Sequence, residues 1–415
     1  MPTDSLIIDC RGAPVPEAGA KILAAFNASA PGTAFSAIVD SGNWTYGLRM
    51  WLLEAGARHH AQPETEGSWR VSIERGSSPA LVTAPGLHHL VSGADGTIWT
   101  CERAERVLRI DGGKRRVVAA KAVARKASHL ALHEPSNRLF VADSDANEVI
   151  ALRADDLSVV QRWPAPGGPQ LPLASPEGIV CVTGGTTGTL TIAWPRDGGY
   201  HAQTIKVGSN PHDPLVSADG AFLFVPCAGA GELVKVRLSD AQIAGRIAVG
   251  EGPSHLVRTA DGSRVYSANS WDGTLSCVTA EGEPVGSAPS GRWAHAIAAS
   301  PDGRWIYVAN FLDDTLGVFD AQTLARVALL PTEPYAHGLD VSPDGRTVVA
   351  TGFGSNHVRV YDGRSHAELA RIEVGQGSAH TAFTPDSRTA FIGCSVSDHA
   401  ACVDLGEMRC VARLH

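Results

Sequence analysis

One position that returns every 40 to 43 residues restricts this 415-residue chain more than any other feature. It is His88 in PGLHHLVSGADG, His129 in KASHLALHEPSN, Gln170 in GPQLPLASPEG and His212 in NPHDPLVSADG; His255 in GPSHLVRTADG, His295 in RWAHAIAASPDG, His337 in PYAHGLDVSPDG and His380 in GSAHTAFTPDS complete the series. A second series follows 13 to 15 residues behind the first: Cys101, Asp143, Gly184, Cys227, Asn269, Asn310, Gly352 and Cys394. Each unit reads as short apolar runs separated by Asp-Gly-type turns, four strands to a unit; HAIAAS, WIYVAN, TLGVFDA and ARVALL are the four of the sixth. Such a unit cannot bury both faces alone, so neighbours must stack.

Eight four-stranded antiparallel units that close on themselves describe an eight-bladed β-propeller, which leaves only short protected edges. The runs IYVAN, VYSAN and LFVPC, following SPDG, TADG and SADG, resemble the YVTN-type propeller repeat from near Ser77 to the end. The expected fold is mainly β: a small two-layer α/β domain over residues 1–75, then the propeller over 76–415.

Composition narrows the partners. A net charge of −8 gives no positive field for nucleic acid or an anionic membrane. The basic cluster Lys114, Arg115, Arg116, Lys121, Arg125 and Lys126 reads as a solvated outer edge. No basic leader with an apolar core and no 18-residue apolar segment is visible, so a cytoplasmic protein is expected. The eight cysteines show no CxxC pairing and read as free thiols.

In a propeller the first strand of each blade lines the central channel, so His88, His129, His212, His255, His295, His337 and His380, with Gln170, are expected at one mouth. Packing does not require an imidazole in nearly every blade, and seven protonated histidines would repel one another. Neutral imidazoles are ligands for copper, zinc and iron, which makes these seven candidate metal ligands. Cys101, Cys227 and Cys394 are expected beside His88, His212 and His380, with Asp213 orienting an imidazole and Trp293 and Tyr335 walling a pocket. Trp271 and Phe311 flank the same positions, and His357 and His399 read as loop residues. Seven histidines at a propeller hub are similar to nitrous oxide reductases. The count of eight blades is closer to the haem-domain propellers of cytochrome-type nitrite reductases, whose relatives act in making that haem.

The first 75 residues differ in texture. A strand (Leu6 to Asp9), a helix with Pro16 in its first turn, a strand (Ala34 to Val39), an amphipathic stretch (Trp44 to Ala55) and a final strand pair give βαβαββ. Asp9, Arg11, Gly12 and Pro16 resemble the TusA-type sulfur-carrier motif. Val15 stands where that family carries its persulfide cysteine and Ala18 where it has a second proline, so the resemblance implies a docking module, with Cys10 as the remaining candidate thiol.

These features point to a copper protein, or second an iron protein, performing redox chemistry on a small sulfur or nitrogen compound. The alternatives are a tetrapyrrole-binding protein of haem maturation and a non-catalytic scaffold; a protein partner would use the N-terminal domain.

Overall fold

The computed structural model describes residues 6–13, 15–30, 33–40, 57–65, 68–75, 86–102 and 104–415. The chain divides into two compact units, Met1–Ala84 and Pro85–His415. No helix among the described residues is long and apolar enough to cross a membrane.

In the first unit, strand β1 (Ile7–Asp9) leads to helix α1 (Val15–Ala28), followed by β2 (Ala34–Asp40), β3 (Ala57–Thr65) and β4 (Ser68–Arg75). The sheet order is β1-β2-β4-β3, with β1 parallel to β2 and the remaining pairs antiparallel. Ala18, Ile22 and Phe26 recur every four residues, forming one apolar stripe on α1 that packs against Phe35, Ala37, Val39, Val71 and Ile73. The helix expected from Trp44 to Ala55 lies outside the described residues. Arg11 pairs with Asp9 at 2.9 Å, and the Gly12 N–H donates to Asp40 at 2.7 Å. Cys10 is 1% exposed in this core, and burial raises its thiol pKa. A carrier thiol needs the opposite, exposure and a lowered pKa.

Among the described residues the second unit consists of eight four-stranded antiparallel sheets, here numbered 1 to 8: 87–122, 127–164, 169–206, 215–248, 253–289, 294–331, 336–373 and 378–414. Together they form a β-propeller. First strands of neighbouring sheets lie against one another at the hub, while fourth strands such as Pro284–Pro289 are mostly exposed. An apolar layer fills each gap between sheets. Cys101 and Val107 of sheet 1 meet Leu130 and Leu139 of sheet 2, and the series continues until Phe391 and Leu414 of sheet 8 meet Leu87 and Ile98 of sheet 1.

Turn chemistry sets the register. In Ser-x-Asp-Gly turns the hydroxyl of Ser217, Ser300 or Ser342 donates to the aspartate two residues on, and the glycine takes a left-handed φ near 70°. Sheet 8 puts Ser387 there at φ 60°. The polar members of the second recurrent series, Asp143, Asn269 and Asn310, clamp loops and neighbouring strands. Asp143, fully buried, accepts from the N–H groups of Arg125, Lys126 and Ala146 at 2.6, 3.1 and 3.0 Å. Asn310 accepts from Ser290 at 2.7 Å and donates to Thr315 at 3.1 Å. Tyrosines tie neighbouring sheets: the Tyr307 hydroxyl donates to Gly363 O at 3.0 Å.

Candidate metal centre in the central channel

Each first strand opens with an irregularity. In sheet 8, Ser378 pairs with Cys394 and Thr381 with Ile392, so the first strand carries one residue more than its partner; sheets 1, 2, 5, 6 and 7 do the same. A bulge of this kind bends the strand and re-aims its side chains. The histidines occupy its two adjacent positions. His88, His295 and His337 follow the first paired residue directly, as His212 follows Pro211. His89, His129, His255 and His380 stand one residue further on. The sequence placed seven histidines in one series; the structure shows two interleaved series and adds His89, which the count by spacing passed over.

All eight imidazoles converge. From His212 the rings run in contact through His255 (4.9 Å between centroids), His295 (4.4 Å), His337 (5.0 Å), His380 (5.0 Å), His88 (4.8 Å) and His129 (5.4 Å). Contacts also skip a sheet: His129 meets His380 at 5.6 Å and His88 meets His337 at 5.9 Å. His89 lies 4.9 Å from His129 and 5.0 Å from His380. The ligand atoms of His88, His129 and His380 all fall within 4.8 Å of one another, which suits one metal ion.

Burial holds His89, His212, His255 and His295 neutral. The pKa falls to about 4 at His89 and His212 and to about 3 at His295. His255 is driven well below its usual value by desolvation and by His295, His212 and His380. Hydrogen bonds assign two tautomers. His212 Nδ1 lies 3.2 Å from Ser254 O, a bond that puts the proton on Nδ1 and leaves Nε2 as a lone pair. His89 Nδ1 accepts the Leu130 N–H at 3.3 Å, so a neutral His89 carries its proton on Nε2.

Aromatic rings border the set. Phe353 packs on His337 at 4.1 Å and stacks on His88 at 6.1 Å; Phe311 reaches His295 at 6.0 Å and His337 at 6.4 Å. Trp293 and Tyr335 touch Phe311 at 6.3 and 5.4 Å, backing this wall rather than the imidazoles directly. Phe353 had no signal in the sequence beyond its place after the second series.

The structure does not gather the other expected residues. Cys101, Cys227 and Cys394 are fully buried in the apolar layers between sheets, and burial pushes Cys227 and Cys394 up to about 12. Their strand faces a neighbouring sheet at that point, so no thiol joins a metal-competent group among the described residues. Gln170 is exposed, on a strand whose register is broken before Leu173. Asp213 takes the second bulge position in sheet 4, and burial raises its carboxyl to about 7. His399 is 4% exposed and held at 2.8 Å by Val374 O, so it is no surface residue.

Two propeller models match parts of the chain by sequence: a seven-bladed lactonase propeller over residues 190–334 and a YNCE-like propeller over residues 280–390. No curated protein matches the sequence. Among solved structures the chain is similar to dihydro-haem d1 dehydrogenase NirN in complex with DHE, at 19% identity and TM-score 0.61, covering 77% of this chain and 72% of that one. Hydrazine synthase of Kuenenia stuttgartiensis follows at 16% and 0.55, covering 79% and 98%. A Bacteroides uniformis protein named for 6-phosphogluconolactonase gives 18% and 0.55, covering 69% and 95%. At these identities the likeness establishes the propeller fold.

Proposed function

We propose that this protein binds one or more transition-metal ions, copper first and iron second, in the channel histidines and performs redox chemistry on a small sulfur or nitrogen compound. The carrying observation is the convergence of eight imidazoles, three of them with ligand atoms within 4.8 Å. Neutral nitrogen donors without a thiolate suit copper, which heads the affinity order for such ligands, and also iron. The ion would supply one-electron chemistry at an open position. The chain's own residues keep the donors neutral, exclude water with Phe311 and Phe353, and offer the Nε2–H of His89 as a donor beside His129 and His380. The N-terminal unit is proposed as a docking module for a protein partner.

A tetrapyrrole-binding role is the second reading, favoured by the likeness to NirN, whose structure holds DHE. Ring contacts of 4.4 to 5.9 Å between neighbouring and next-but-one sheets set nitrogen donors close together, which favours bare metal ions. Plasma mass spectrometry on untagged protein tests the choice. At least one equivalent of copper or iron is expected, falling by more than half in both His129→Ala and His380→Ala while their thermal melts stay cooperative. Full occupancy in both variants overturns the metal reading, and a Soret band on adding a haem precursor to metal-free protein would install the second.

A further inference from the structure

One to five residues beyond the histidines, the same first strands line a cavity of about 860 Å³ that contains Leu90, Leu132, Leu173, Leu215 and Ala382. Four titratable side chains face it: His133, Glu134, Arg258 and Asp340. Two are already engaged. Glu134 accepts the Ala94 N–H at 2.7 Å, and the His133 ring is held by Ser136 at 2.7 Å and Pro176 O at 3.0 Å. Among the described residues no carboxylate comes within ion-pair distance of Arg258, which is half-buried in the wall. Asp340 accepts a bond from the Val341 N–H at 2.9 Å.

We propose that this cavity binds a small organic anion with an apolar body, its charged group taken by Arg258. An apolar chamber with a few convergent polar groups is the common form of a small-molecule site, and a guanidinium pairs with carboxylate or sulfonate through two parallel hydrogen bonds. Asp340 adds a condition. Burial raises its carboxyl to about 7, so it is charged and repels an anion at pH 8 and is mostly neutral at pH 6. The site stands whether or not the histidines hold metal, because none of its residues belongs to that set.

Fluorescence titration of the full chain with 1-anilinonaphthalene-8-sulfonate tests it. Saturable binding is expected, tightening several-fold from pH 8 to pH 6. Arg258→Gln should weaken it at least tenfold, while Arg258→Lys, which keeps the charge and loses the paired hydrogen bonds, should fall between Arg258→Gln and the parent. Asp340→Asn should bind at pH 8 as tightly as the parent does at pH 6 and lose the pH dependence. Equal affinity of parent and Arg258→Gln, absence of saturable binding by the parent, or an unchanged pH profile in Asp340→Asn would each overturn the proposal.

Discussion

At the scale of single residues, Glu333 shows how the segment leading to His337 is held. It is 2% exposed and accepts from Arg371 at 2.6 and 2.9 Å, from Arg359 at 3.2 Å and from Ser355 at 2.6 Å. Arg371 first, then Ser355 and Arg359, lower its pKa to about 2 against the cost of burial. A carboxyl depressed on folding stabilises the native state above its unfolded pKa and loses that contribution as pH falls through the folded value. Urea unfolding should therefore show stability dropping from about pH 4.5 toward pH 2, with a shallower slope in Glu333→Gln. Glu333→Ala removes the carboxylate shared by two partly exposed guanidinium groups, of which Arg359 keeps Glu368, and should cost about 1 to 2 kcal/mol. The tautomers give a second outcome at this scale. His89 uses Nδ1 to accept from Leu130 and carries its proton on Nε2, leaving no lone pair for a metal. His89→Ala should keep its metal by mass spectrometry where His129→Ala loses it.

At the scale of elements, the period of 40 to 43 residues and the Ser-x-Asp-Gly turns were enough to read four strands per unit and their order, because both signals are local. The aim of each histidine was not legible. It depends on a bulge that no residue type announces, and the bulge is why one apparent series divides into two and why His89 joins the set. The second series was misread for a related reason. Asp143 and Asn310 turn toward loops, and Cys101, Cys227 and Cys394 toward the apolar layers, a choice made by the neighbouring sheet rather than by the strand. Asp143 clamps the entry to the strand that carries His129, so Asp143→Ala should remove the acceptor of three part-buried backbone N–H groups and lower stability by about 1 to 2 kcal/mol. Chemical denaturation reads that cost, and metal retention in a chelator challenge should fall with it, since the clamp sets where His129 stands. Tyr307→Phe removes one bond between sheets and should cost about 1 kcal/mol without changing metal content.

At the scale of the whole propeller, the histidine set exists only when the ring closes. His380 belongs to sheet 8 and His88 and His129 to sheets 1 and 2, so the histidine triad proposed to hold metal lies across the seam between the end of the repeat array and its start. That seam is apolar: Leu87, Leu90, Ile98 and Ile110 pack against Phe391, Ala400, Cys402 and Leu414, with no covalent link between the two sheets. In an open array each unit would touch only its neighbours and could melt separately, whereas closure couples the first unit to the last. Leu414→Ala removes one side chain from the seam and should cost about 2 to 3 kcal/mol, with the melt still a single transition. Deleting residues 409–415 takes away the whole outer strand of sheet 8, uncovering Cys402 and the residues beside it. The melt by circular dichroism should then broaden or split, and metal content should fall although every histidine from His88 to His380 remains. A truncated protein with the parental melting temperature and full metal would show that the inner three strands of sheet 8 suffice to close the ring. The triad would then owe its geometry to the hub strands alone.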